Sequence, residues 1–125
     1  MFEFIRQLLG KRRRKNRRTE PRVLDGAIAR LEARGLDVHC RILDVSAVGA
    51  RLLSPVRLSV GQPLLVHAPA RNGYTELPLV VRRVSPRGDV YEVGVEPNHN
   101  MPASRFLLYS YSQRCVRRHA EAAAA

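Results

Sequence analysis

The chain contains no tryptophan, and aromatic residues make up only 6% of it. Between Phe4 and Tyr74 there is no aromatic side chain at all. An arm that holds nucleic acid by stacking on its bases needs such rings at intervals. Cysteine is equally scarce: Cys40 and Cys115 are too few for a disulfide framework or a zinc site, and both stand at apolar positions, as reduced buried thiols do. The histidines, His39, His67, His99 and His119, are scattered without ligand spacing, so no metal is expected. No glycine-rich phosphate loop of the P-loop or dinucleotide type occurs, and Ser46 has no histidine near it in sequence to serve as a base. No apolar run approaches the roughly twenty residues that a membrane-spanning helix needs. What remains is a small binding protein rather than an enzyme.

Acidic residues are the other shortage, with 11 against 22 lysines and arginines, for a net charge of +11. Its placement matters more than its size. Residues 11–22 carry +7, residues 23–100 only +1, and residues 101–125 carry +3. The charge therefore sits at the two ends of a nearly neutral domain, a pattern suited to an arm that meets anions. At 125 residues there is room for one domain with a single modest core. The composition divides the chain into an amphipathic and basic arm (1–16), a strand-rich domain (17–100) and a helical C-terminal segment (101–125).

In the arm, Phe2, Ile5, Leu8 and Leu9 have helical spacing. The basic run Lys11 to Arg18 follows this apolar stretch, the reverse of a signal peptide, and a cytoplasmic location is expected. The first ten residues are expected to form a short helix against the domain or a partner. Peripheral contact with anionic lipid, backed by the basic run, is the sharper alternative. Lys11 to Arg18 has no apolar anchor, and self-repulsion should keep it mobile until an anion binds.

From Ala27 onward the pattern is one of short strands. Ala27–Ala33, Leu36–Leu43, Ala50–Leu53, Leu64–His67, Thr75–Val84 and Val90–Glu96 are separated by turn-forming residues such as Arg34-Gly35, Asn72-Gly73 and Arg87-Gly88-Asp89. Leu36, Val38, Cys40 and Ile42 alternate with Asp37, His39 and Arg41, so one face is wet. Six such strands with no helix between them predict a mainly β fold, a small antiparallel barrel or sandwich. Beyond Pro97 and Pro102 the period becomes helical. Ser104, Leu108, Tyr111 and Cys115 share a stripe expected to pack on the barrel, and a tail from Glu121 is expected to fray.

Two motifs carry the chemistry. Asp44-Val45-Ser46-Ala47-Val48-Gly49 is a DxSxxG turn between two apolar runs. Asp and Ser side chains bond to nearby backbone, and Gly supplies a positive φ or close approach of a ligand. The second motif is an RxxxR pair, Arg18 and Arg22, with Arg17 directly ahead. A guanidinium fork binds phosphate oxygens, or the O6/N7 edge of guanine, in bidentate fashion. A carboxylate instead accepts from guanine's N1–H and exocyclic amine. Together they make a complementary set for a guanine nucleotide.

This combination, RRxxxR ahead of DxSxxG, resembles the PilZ family of cyclic di-GMP receptors, from about Arg17 to the Gly94-Val95-Glu96 strand. The resemblance implies a six-stranded antiparallel barrel. It implies a ligand, cyclic di-GMP, with no other cofactor. Arg18 and Arg22 would serve the phosphates and guanine faces, Asp44 and Ser46 the guanine donors, and Gly49 the close approach. Arg17 occupies the place where an arginine in the family goes with two stacked ligands per chain. An unidentified protein partner would dock on the ends that the family does not cover. The alternative is a small β-barrel that binds nucleic acid through its basic arm; it explains the charge but not the Asp-Ser-Gly turn, and no specific nucleic acid is expected.

Overall fold

The computed structural model describes residues 22–124. Arg17, Arg18, the arm of residues 1–16 and its expected helix lie outside these residues. Seven strands and one helix follow in order: β1 (Val23–Leu24), β2 (Ile28–Ala33), β3 (Leu36–Val45), β4 (Ala50–Ser54), β5 (Pro63–Ala70), β6 (Gly73–Arg87), β7 (Val90–Pro97) and α1 (Ser104–Ala124).

All pairings are antiparallel. The order β3-β2-β5-β6-β7-β4 closes on itself through the β3–β4 pair, giving the expected six-stranded barrel with β1 as an outer addition to β3. Closure removes the open strand edges that would invite pairing with other chains. The strands generally run one or more residues longer than their turn signals suggest. The longest, β6, pairs with β5 through its first half and with β7 through its second.

Alternation fills the interior. Leu31, Ile42, Val45, Leu52, Val66, Leu79, Val81 and Val93 are fully buried, one or two from each barrel strand. The alternation in β3 breaks once: Ile42 opposes Leu52, but Asp44 opposes Arg51, so Leu43 is the extra residue of a bulge. Such a bulge re-aims the side chains that follow it. Here Val45 stays in the core opposite Ala50, while Asp44 is delivered to the outside beside Arg51.

Strand β1 was not legible in the sequence, and Ala27 falls outside β2. Both β1 and β2 run along the same edge of β3. They are one broken strand, interrupted at Asp25-Gly26-Ala27, with Gly26 at φ 79°. The break is still tied to β3: Asp25 N–H donates to the Leu43 carbonyl at 3.0 Å, and Ile42 N–H to that of Ala27 at 2.8 Å.

The break matters because it aims Asp25 at the helix. Its side chain is 2% exposed. It accepts from the Tyr111 hydroxyl, and Arg118 lies 3.5 Å from its other oxygen. The expected stripe Ser104, Leu108, Tyr111 and Cys115 is buried, as helical spacing requires. Arg118, one turn beyond Cys115 on the same stripe, reaches back to it at 2.9 Å. Residues 121–124 are helical, in keeping with the high helix propensity of alanine. Cys40 and Cys115 are both buried and unbridged. No helix among the described residues is long and apolar enough to cross a membrane.

Candidate functional site

Residues 46–49 form a turn held by Ser46. Its N–H donates to the Gly49 carbonyl at 2.8 Å, and its Oγ accepts from Val48 N–H at 3.2 Å. Its hydroxyl also lies 3.4 Å from the Gly49 carbonyl. Ser46 is 2% exposed, and its hydroxyl is engaged within the turn. Gly49 is not at positive φ. Its need for hydrogen in place of a side chain comes from the barrel: a Cβ there would stand 2.9 Å from the Val95 carbonyl of β7. What approaches Gly49 closely in this structure is the neighbouring strand.

The turn holds Asp44 where two arginines reach it. Arg22 donates to Oδ1 at 2.8 Å. Arg51 donates through Nε to Oδ2 at 2.7 Å, with a terminal nitrogen 2.5 Å from the same oxygen. Another nitrogen of Arg51 donates to Glu92 of β7 at 2.8 Å. The Asp44 side chain is 4% exposed, whereas those of Arg22 and Arg51 are each about a third exposed. A buried carboxylate is thus fully satisfied by two partly wet guanidinium groups. This is a stable way to keep a charge inside.

A third arginine belongs to the same patch. Asp44 opposes Arg51 across β3–β4, Arg51 opposes Gly94 across β4–β7, and Gly94 opposes Arg83 across β7–β6. Burial pulls the Arg22 pKa down; Asp44 partly offsets this, and repulsion from Arg51 and Arg83 adds to it. Arg83 is lowered for the same reasons, burial first. For Arg51, burial is outweighed by its bonds to Asp44 and Glu92, and its pKa rises. The patch therefore sets three arginines, Arg22, Arg51 and Arg83, against two carboxylates, Asp44 and Glu92, and keeps an excess of positive charge.

The structure thus brings together Arg22, Asp44, Ser46 and Gly49, while Arg17 and Arg18 lie outside the described residues. Sequence reasoning missed Arg51, Arg83, Glu92 and Gly94. Arg51 had a visible cue, standing two residues past Gly49 between inward Ala50 and Leu52. Arg83 and Glu92 had none, since only barrel closure carries β6 and β7 to this place. On the other side of the turn, Ala47 and Val48 wall an open groove with Phe106 and Tyr109 of α1. Neither Asp44 nor Arg22 lines that groove, so turn 46–49 separates two distinct surfaces.

Comparison with known proteins agrees with this geometry. Among solved structures, the PilZ domain of YcgR from Escherichia coli with c-di-GMP superposes with a TM-score of 0.67, covering 86% of this chain and 98% of that one at 16% identity. The MrkH–c-di-GMP complex of K. pneumonia gives 0.64 at 16% identity, covering 86% and 56%. The Bacillus subtilis inhibitor of motility, MotI/DgrA, gives 0.57 at 20% identity, covering 87% and 54%. This chain spans about half the length of those last two, and at such identities the likeness speaks for the fold. No curated protein matches. The family model for the PilZ domain matches residues 16–111, which hold every motif residue discussed above, and the chain belongs to the PilZ domain family.

Proposed function

We propose that the protein is a cyclic di-GMP receptor without catalytic activity, acting in the cytoplasm. The observation that carries this reading is the meeting of its two motifs: Arg22 and Asp44, far apart in sequence, pair at 2.8 Å beside the Ser46–Gly49 turn. Solved complexes of YcgR and MrkH, which share the fold, contain c-di-GMP.

Asp44 is closed off by its neighbours in the structure. Both of its oxygens are held by arginines, so a guanine edge must replace one of them. In this scheme Arg22, the arginine that the second motif assigns to phosphate, is the partner that leaves, while Arg51 stays bonded to both Asp44 and Glu92. Guanine N1–H and its amine then take Oδ1, and the Arg22 fork turns to a phosphate oxygen, so charge stays paired at each step. Arg18 serves the second phosphate and a guanine face, and Ser46 lends its hydroxyl to the same guanine edge. Arg17 stacks on and neutralises a second, intercalated ligand, giving two molecules per chain.

In this scheme residues 17–100 bind, residues 101–125 brace the barrel, and the arm of residues 1–16 closes over the ligand. The ordered arm is the surface that a protein partner reads, with peripheral contact at anionic lipid as a further use of its charge. Titration calorimetry with cyclic di-GMP tests the reading, with GTP and an unrelated RNA as controls. A micromolar or tighter dissociation constant, about −8 kcal/mol or better, is expected for cyclic di-GMP alone. Equal heats for all three, or none for any, would sink it; preference for RNA would favour the nucleic-acid alternative.

A further inference from the structure

The groove on the far side of the 46–49 turn has no part in the receptor reading. It is open and holds about 750 Å³, within the range of roughly 300–1,000 Å³ that binding clefts occupy. Val48 of the turn lines it, with Phe106 and Tyr109 one helical turn apart on α1 and Glu96 and Pro97 at the end of β7. Val48, Phe106 and Tyr109 are 46%, 67% and 50% exposed. The helix packs on the barrel through Ser104, Leu108, Tyr111 and Cys115, so its own docking leaves Phe106 and Tyr109 unused. Nine large apolar residues are exposed among the described residues, and these three meet in one concave place. Apolar side chains gathered in this way, rather than scattered singly, mark an interaction surface.

The chain itself carries a segment of matching chemistry. Phe2, Ile5, Leu8 and Leu9 recur at the spacing that sets apolar side chains on one helix face, the pattern with which helices enter apolar grooves. They lie outside the described residues. The described chain begins at Arg22, whose side chain bonds Asp44, two residues ahead of the turn that borders the groove. Eleven residues stand between Gly10 and Arg22 and can span up to about 36–40 Å. The whole of β3, ten residues long, runs only about 33 Å, so the groove is within reach. A short tether presents its cargo at about millimolar effective concentration, which a second copy in dilute solution does not match. Charge points the same way. The groove lining includes one acid and one arginine, Glu96 and Arg105, and the segment has one of each, Glu3 and Arg6. A second copy would instead set Arg105, Arg114, Arg117 and Arg118 of two helices against each other. A flat bilayer does not fit a concave groove.

We infer that the segment Met1–Gly10 seats its apolar face in the groove between the 46–49 turn and α1. The basic run that follows it then passes over the turn toward Arg22. The seat needs no ligand, and it stands or falls separately from the receptor reading.

A nitroxide spin label on Gln7→Cys tests the seat in the full chain by nuclear magnetic resonance. Cys40 and Cys115 are buried, so the label goes to position 7. Amides of Val48, Phe106 and Tyr109 are expected to lose most of their intensity and to regain it when the label is reduced. Those of Arg34 and Gly35, at the other end of β3 and about 30 Å away, should keep theirs. Phe106→Ala removes an exposed ring from the groove and should abolish the loss, as should Leu9→Asp on the segment itself. No loss at the groove, equal loss at both ends of β3, or a loss that survives Phe106→Ala would overturn the inference. A loss seen only on an unlabelled, isotope-enriched chain mixed with the labelled one would also overturn it, by making a second copy the occupant. So would absence of loss in solution together with binding to phosphatidylglycerol–phosphatidylcholine vesicles that Leu9→Asp removes, which would assign the segment to a lipid surface.

Discussion

Asp44 joins two arginines in the structure, and in the proposed receptor it also meets the ligand. It is buried, so both of its oxygens need donors, and its two charge partners reach it from positions a third exposed. Arg22→Ala takes the donor from Oδ1 and leaves Arg51 on Oδ2, so a loss of about 1–3 kcal/mol is expected in unfolding. The same change removes charge-assisted bonds to the ligand of roughly 1.5–3 kcal/mol, and should weaken cyclic di-GMP binding at least tenfold. Denaturant titration and calorimetry on the one variant separate the two effects; a large stability loss with intact binding would assign Arg22 a structural role instead. Cys40 behaves in the opposite way. Burial pushes its thiol up to about 11. In the unfolded chain it ionises near 8.5. Its contribution to stability is thus fully present below about pH 8.5 and is lost as pH rises toward 11. At pH 8 the native protein should react negligibly with a thiol reagent, and both cysteines should react once it is denatured.

At the scale of elements, two joints hold the barrel in its working shape. One is the passage of the β3–β4 turn under β7, where Gly49 meets the Val95 carbonyl. Gly49→Ala must displace backbone, and overpacking of this kind costs about 1–3 kcal/mol. A melting-temperature drop in Gly49→Ala but not in Gly94→Ala is the expected contrast. The other joint is the β1–β2 break, where buried Asp25 takes the Tyr111 hydroxyl and lies near Arg118. Tyr111→Phe keeps the ring in the core and leaves the carboxylate short of a donor. A loss of about 1–3 kcal/mol is expected in chemical denaturation. Because Asp25 is three residues past Arg22, the same variant should loosen the chain that presents Arg22, and so weaken ligand binding slightly. The helix is thus part of the site's support.

Across the whole molecule, charge at the ends and neutrality in the middle set how binding should respond to salt. Neutralising Arg12 and Arg13 removes a longer-range attraction whose effect fades as ionic strength rises. Loss of Arg22 removes a direct contact and should persist at high salt. If the two match at moderate salt, the arm is a diffuse polyanion binder. Stoichiometry is also a property of the whole chain: Arg17→Leu should reduce two bound ligands to one, or weaken the second, in calorimetry. Trypsin should cut between Lys11 and Arg18 more slowly when cyclic di-GMP is bound; equal rates with and without ligand would mean that the arm does not close over it.

Residue pattern alone determined six of the seven strands, the mainly β class and the helical stripe from Ser104 to Cys115, and it marked Arg22, Asp44, Ser46 and Gly49. Each of these depends on local periodicity or on spacing within a short motif. Closure into a barrel came from the family resemblance. Strand β1 escaped notice because two residues are too few to show alternation, and it exists only through pairing with Val45 and Asp44. The tertiary structure decided everything that depends on which strands become neighbours. The Leu43 bulge set Asp44 against Arg51, and closure through β7 supplied Glu92, Arg83 and Gly94, with the Arg83 side chain lying over the glycine. It also divided the two strand-region glycines, giving Gly49 to packing and leaving Gly94 to the surface. Nothing in their sequence neighbourhoods could do so, since the deciding atoms belong to strands that lie far away along the chain.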